Sequence, residues 1–132
     1  MEKQYAQNPA IENILTRRSV RSYTDQDVEP EKLEAILEAG MAAPSGKNGQ
    51  PWDFIVLTRR EILDEMAERL PYAKMLRETR VAIAVCADRT KSPYWYVDCS
   101  AAAENILLAA HALGLGAVWT ATYPYRDRMD VV

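Results

Sequence analysis

Between residues 97 and 113 the chain is almost wholly apolar and rich in alanine, and its polar Ser100, Glu104 and His111 recur at spacings of four and seven. That spacing keeps them on one side of a 3.6-residue helix, so the segment reads as a buried helix with a narrow polar seam. A helix that is apolar nearly all round has to be covered by the rest of the chain. In 132 residues there is room for about one domain and one core. Gly114 and Gly116 close the helix, glycine being the residue that most readily takes the left-handed turn past a last helical residue.

The remaining elements follow from the same kind of patterning. Residues 8–17 predict a helix in which Asn8 is the cap, Pro9 suits the first position, and Ile11, Ile14 and Leu15 form one apolar face. A second helix begins at Pro30, carries Leu33, Ile36, Leu37 and Met41 at three-to-four spacing, and is stopped by Gly40 and Pro44. Its Glu29, Glu31 and Glu34 lie near the positive N-terminal end. Aromatic and β-branched residues predict a first central strand over residues 52–58, followed by a helix over 59–70 and a short turn or helix over 72–77. The continuous apolar run 81–87 suits a strand covered on both faces, and residues 117–122 predict a third strand before the turn at Pro124. No internal repeat or linker interrupts this order.

Composition narrows the function classes. With 48% apolar and 27% charged residues and no low-complexity tract, the whole chain is expected to fold. A net charge of -3 lacks the basic surplus with which a protein neutralises phosphates, so no nucleic acid partner is expected. No stretch approaches about 18 uninterrupted apolar residues, and residues 1–5 carry no apolar signal core, so the expectation is a cytoplasmic protein without a membrane partner. Cys86 and Cys99 lack C-x-x-C spacing and read as buried free thiols, and His111 is the sole histidine, so no metal site is expected.

Three segments carry chemistry. Arg17, Arg18, Ser19 and Arg21 put guanidinium groups and a hydroxyl just beyond a helix, a fork suited to a terminal phosphate. Basic residues there also simply answer the helix dipole. The loop from Pro44 through Ser45, Lys47, Asn48 and Gln50 to Pro51 and Trp52 concentrates a hydroxyl, an ammonium and two amides between prolines. Amides offer both donors and acceptors, which matches the pyrimidine rim of a flavin better than a charge does; the same composition also makes an ordinary polar turn. The helix over residues 97–113 carries small residues that admit another backbone. Its closing Gly114-Leu115-Gly116 follows a helix rather than a strand, so it is not a dinucleotide-binding fingerprint.

Taken in order, the arginine-serine-arginine run, the Ala-Pro-Ser loop ending in Gln50-Pro51-Trp52, the buried helix ending Leu113-Gly114-Leu115-Gly116, and Trp119-Thr120 resemble the small nitroreductase family over about residues 11–128. The resemblance implies an α+β fold with a central, mostly antiparallel sheet flanked by helices, working as a homodimer with the flavin site at the interface. It implies FMN as cofactor, its phosphate held by Arg17, Arg18, Ser19 and Arg21. Pro44, Ser45, Asn48 and Gln50 would come from the other subunit, and Trp119, Thr120 and Ala121 would pass near the central flavin ring. The implied activity is an FMN-dependent oxidoreductase that passes electrons from NAD(P)H to nitroaromatics, quinones or related small acceptors in a two-step exchange, with no catalytic acid, base or nucleophile. Family members usually continue past residue 132, so residues 1–132 are expected to be a single FMN-binding domain lacking its C-terminal tail. A second reading is a truncated flavin-binding homologue without turnover, and a third is a structural domain without flavin.

Overall fold

The computed structural model describes residues 7–132; residues 1–5, read above for an export signal, lie outside the described residues. In chain order the elements are α1 (Pro9–Thr16), α2 (Pro30–Met41), β1 (Trp52–Leu57), α3 (Arg60–Arg69), β2 (Ala82–Ala87), α4 (Trp95–Ala112) and α5 (Arg126–Val131), with single 3-10 turns at Gly46–Asn48 and Lys74–Arg77. The expected α+β class is the one observed. Helix starts obey local chemistry. The Asn8 side chain accepts from the N–H groups of Ala10 and Ile11 at 3.0 and 3.2 Å, and Pro9 opens α1. Pro30 opens α2 behind Glu29, whose carboxylate is held below its usual pKa by its own backbone N–H and by Lys32 at 3.1 Å.

β1 and β2 pair antiparallel, Trp52 opposite Ala87 through Leu57 opposite Ala82, and Asp88 N–H continues the ladder to the Pro51 carbonyl at 2.8 Å. One face of this pair is packed: Trp52 lies in a core with Ala43 and the fully buried Ala102 of α4, flanked by Phe54, Cys99 and Ala101. α2 lies along α4, where Asn105 Nδ2 donates to the Ala39 carbonyl at 3.0 Å. A second core joins Leu70, Ala73 and Met75 to Tyr23, Val118 and Val131. Between α3 and its following turn, Arg60 donates to Asp64, to the Thr79 carbonyl and to the Leu76 carbonyl. α4 ends in a Schellman turn: Gly114 has φ 79°, Gly114 N–H bonds the His111 carbonyl at 3.1 Å and Leu115 N–H the Ala110 carbonyl at 2.8 Å. No described helix is long and apolar enough to cross a membrane.

Five expectations need correction. Residues 117–122 form no third strand; one parallel bridge, Ser19 to Ala117, is made, because, among the described residues, 117–122 pair by backbone hydrogen bonding across the chain only with residues 19–20. β2 is half-buried along its length rather than covered on both faces, since Ile55, Leu57, Ala84 and Cys86 face a shallow open cleft. Gly40 does not stop α2. It is buried inside the helix, where a Cβ would come within 3.0 Å of Phe54 and 3.1 Å of Ile106. The expected buried helix, α4, is enclosed only at Asp98, Ala102, Leu107 and Ala110 and is otherwise half-buried or exposed, with Val97 52% exposed. Cys86 and Cys99 are half-buried rather than enclosed.

Two tests follow from this packing. At Gly116 a Cβ would meet Val20 Cγ1 at 2.7 Å, and Val20 is tied to Ala117 by a backbone bond, so Gly116→Ala should cost about 1–3 kcal/mol in urea unfolding. Val20→Ala should recover part of that loss in a double-mutant cycle, whereas it should leave Gly114→Ala, where nothing lies within 4 Å, unrescued. The thiols give the second test. Burial is the main cause that pushes the Cys99 thiol up to about 11, with Asp98 adding to it, and burial raises Cys86 likewise. At pH 8 only about one Cys99 in a thousand is thiolate, so iodoacetamide should leave it unmodified until the chain is unfolded.

Candidate functional site

The arginine segment leaves α1 and runs alongside the end of the chain's longest helix. Ser19 bridges to Ala117, and Val20 N–H donates to the Ala117 carbonyl at 2.9 Å, so residues 17–21 lie directly beside the start of 117–121. The three arginines are held differently. Arg17 sits 3.6 Å from Glu104 of α4. Arg18 curls back and donates to the Leu15 and Arg17 carbonyls at 3.0 and 2.9 Å, which answers the helix end as a dipole argument expects. Arg21 is exposed and makes no ion pair or side-chain hydrogen bond among the described residues. Next to it Tyr23 donates to the Val20 carbonyl at 2.6 Å; burial raises its pKa, Arg21 lowers it and Glu78 raises it.

A cleft of about 160 Å³ opens between α1 and α4, lined by Thr16, Arg17, Arg18, Leu107, His111 and Ala117 among others. Here the polar seam of α4 finds its partners. Glu104 meets Arg17, the Leu108 carbonyl accepts from Asn13 Nδ2 at 2.9 Å, and His111 Nε2 lies 2.9 Å from Thr16 Oγ1. Thr16 Oγ1 already donates to the Glu12 carbonyl at 2.7 Å, so the imidazole is the donor in this pair.

The polar loop is built against the opposite end of α4. Ser45 Oγ accepts from Gln50 N–H at 3.0 Å, Asn48 N–H bonds the Ser45 carbonyl at 3.0 Å, and Gln50 Nε2 donates to Asn48 Oδ1 at 2.8 Å. Lys47, Asn48 and Gln50 all have positive φ, at 53°, 55° and 45°. For residues with a Cβ each such conformation costs about 1–3 kcal/mol and persists where the surroundings over-determine it. The surroundings here are residues 91–98. Gly46 N–H donates to Asp98 Oδ1 at 2.9 Å, Ser92 Oγ donates to Asp98 Oδ2 at 2.7 Å, and Tyr94 N–H donates to Ser92 Oγ at 3.0 Å. Gly46 packs against the Tyr94 ring so closely that a Cβ would overlap it.

Trp119, Thr120 and Ala121 form an exposed stretch. Its far end is pinned by Arg128, which donates to the Ala121 carbonyl at 3.1 Å and stacks over the Tyr125 ring at 3.9 Å. Among the described residues the structure therefore brings Arg17, Arg18, Ser19 and Arg21 together with the segment containing Trp119, Thr120 and Ala121. It does not bring Pro44, Ser45, Asn48 and Gln50 to the arginines within one chain. Asp98 and His111 anchor the two groups, and the thirteen helical steps from one to the other span about 20 Å.

Sequence reasoning assigned no role to Asp98, Ser92 or Arg128. Asp98 carried a usable signal, because a carboxylate on an apolar helix that is 4% exposed has to find donors. Its partner Gly46 lies 52 residues away, which no local pattern reveals.

The sequence profile of the nitroreductase family matches residues 14–76 and 67–132. A protein of Methanothermobacter thermautotrophicus named for NADH dehydrogenase/NAD(P)H nitroreductase is 50% identical over 123 residues, covering 91% of this chain and 64% of its own length, so the chain spans just under two-thirds of that relative. A crystal structure from Bacteroides thetaiotaomicron with the same naming superposes with TM-score 0.93 at 60% identity, covering 94% of this chain and 74% of the other. A nitroreductase from Desulfovibrio desulfuricans, solved in complex with FMN, superposes with TM-score 0.80 at 43% identity, covering 87% and 69%. With the profile matching nearly the whole described chain and half of all aligned positions identical to a named relative, the chain belongs to the nitroreductase family.

Proposed function

We propose that this chain binds FMN as a homodimer and works as an oxidoreductase that passes electrons from NAD(P)H to nitroaromatics, quinones or related small acceptors. The observation that carries the proposal is the backbone pairing of residues 19–20 with Ala117, which sets a guanidinium cluster beside an exposed stretch in a family with an FMN-bound member. The donor set fits the cofactor. Among the described residues Arg21 makes no ion pair and is a cation for a phosphate, and Arg17 and Arg18 are held by partly exposed, readily exchanged contacts. Of the two loop amides, the Asn48–Gln50 bond uses one donor and one acceptor, leaving Asn48 Nδ2 and Gln50 Oε1 for a rim that alternates both kinds.

Bound FMN supplies the redox chemistry, taking electrons from NAD(P)H and giving them to the acceptor in two alternating half-reactions. The chain's own residues bind and orient. Arg17, Arg18, Ser19 and Arg21 hold the phosphate; Trp119, Thr120 and Ala121 line the ring's approach; and Pro44, Ser45, Asn48 and Gln50 of a second copy grip the polar edge. Two facts support that second copy. The loop lies at the far end of α4 from the arginines, and Ile14 and Leu15 of α1 are left at least half exposed in one chain, adjacent apolar side chains of the kind that association covers.

Recombinant protein soaked with FMN should keep flavin absorbance after desalting and oxidise NAD(P)H when an acceptor is added; a colourless protein refutes the proposal. Arg21→Ala should weaken FMN binding about tenfold, equivalent to about 1.4 kcal/mol, without lowering Tm, because Arg21 makes no ion pair or side-chain hydrogen bond among the described residues. The shared site has its own test. Arg21→Ala and Asn48→Ala chains, each a poor binder alone, should on mixing and re-equilibration recover FMN binding at about a quarter of the sites, since a heterodimer reunites one intact half-pair. No recovery in mixed dimers refutes sharing.

A further inference from the structure

We infer that Asp98 is a positioning residue that fixes, through Gly46 and Ser92, the orientation in which Asn48 and Gln50 meet the ligand. This rests on the proposed FMN site and assigns a residue that touches no part of it.

The carboxylate is 4% exposed and sits in the first turn of α4, and both oxygens are used on separate chain segments. Oδ1 takes Gly46 N–H at 2.9 Å and Oδ2 takes the hydroxyl of Ser92 at 2.7 Å, itself 1% exposed. Ser92 Oγ in turn accepts Tyr94 N–H. A buried carboxylate with two donors is held far more tightly than an exposed ion pair, so its position is set by α4 rather than by the loop.

The loop needs such an outside hold. Lys47, Asn48 and Gln50 have positive φ, and the bonds inside the loop, Asn48 N–H to the Ser45 carbonyl and Gln50 N–H to Ser45 Oγ, close it upon itself without fixing it to anything else. Gly46 opens the turn immediately before those strained residues. Its N–H bond to Asp98 and its contact with the Tyr94 ring are what join the turn to the helix. At the turn's other end Gly49 fits against the Lys91 carbonyl and Ser92, where a Cβ would meet them at 2.5 and 3.2 Å. Remove the carboxylate and Gly46 N–H, Ser92 and the strained turn lose their common anchor together. The amide pair that faces outward then samples conformations in which it no longer matches one rim.

The test compares Asp98→Ala, Asp98→Asn and Ser92→Ala with the parent chain in two readouts. The first needs no flavin: trypsin cutting after the exposed Lys47 should speed up at least tenfold in Asp98→Ala, relative to cutting after the half-exposed Lys32 on α2 in the same sample, and much less in Asp98→Asn, whose amide oxygen still accepts Gly46 N–H. The second is FMN affinity at a temperature where every variant is folded by circular dichroism. Asp98→Ala should weaken it about tenfold, and adding Asn48→Ala should weaken it no further, because both changes disable the same contact. Equal acceleration at Lys47 and Lys32, or unchanged cutting at Lys47, overturns the inference, as does an Asp98→Ala effect on FMN affinity that simply adds to that of Asn48→Ala. If the parent chain binds no FMN, the functional reading itself falls, and the Lys47 rate still reports whether Asp98 holds the loop.

Discussion

α4 is apolar on nearly every side, and covering it dictates where everything else goes. The β1–β2 pair takes one side through Trp52 and Phe54, α2 takes another by admitting Ile106 against Gly40, and α1 lies across the C-terminal end. The few polar groups on the helix are therefore its fixed points. Asp98, buried at one end, has nowhere to go but into specific partners, since a buried polar group left unpaired costs more than a typical hydrogen bond contributes, whereas Glu104 and His111, partly exposed further along, add weaker contacts to Arg17 and Thr16. Each partner segment that they select is one that carries candidate chemistry: the Ser45–Gln50 loop at the start, the Thr16–Arg17 junction near the end.

How much of this was legible follows from how far each cause acts along the chain. Asn8, Pro9 and Pro30 act on their own helix starts, and those starts were read correctly. β1, β2 and α3 were read to within a residue or two for the same reason. Gly40 was misread because its role is set by Phe54 and Ile106, far away in sequence, and a buried glycine at a helix crossing has the same local signature as a helix end. Residues 117–122 have strand composition, yet a strand is a property of a pair. Among the described residues only Ser19 and Val20 pair with it, so composition alone overcalled it. Of the site, the chemical types were legible and the arrangement was not: the Asp98–Gly46 bond spans 52 residues.

Helix geometry also bears on why the proposed site would draw on two copies. A straight helix holds its ends apart, so the loop anchored at Asp98 and the arginines anchored at Glu104 and His111 stay separated, although residues 117–123 run back along α4 until the Tyr123 ring packs on Trp95 at 4.6 Å. Either the loop and the arginines serve different purposes, or the loop of one copy meets the arginines of another. The exposed apolar side chains of α1 and α4 favour the second, because they are the surface left uncovered once a single chain has folded.

The two halves of the proposed site are prepared in opposite ways, and the difference suits what each would hold. A phosphate is a strong, nearly symmetrical charge that rewards any nearby guanidinium, so its ligands need little preorganisation. Arg17 and Arg18 are accordingly kept by partly exposed contacts worth about 0–1 kcal/mol, which a dianion displaces easily. A heterocycle's rim is a pattern of weak donors and acceptors, and weak bonds are realised only if the protein groups are already in register. That is the half built from a strained turn clamped by a buried carboxylate. Strain of that size is retained only where something larger opposes it, and in this chain the opposing element is the same apolar helix that organises the core.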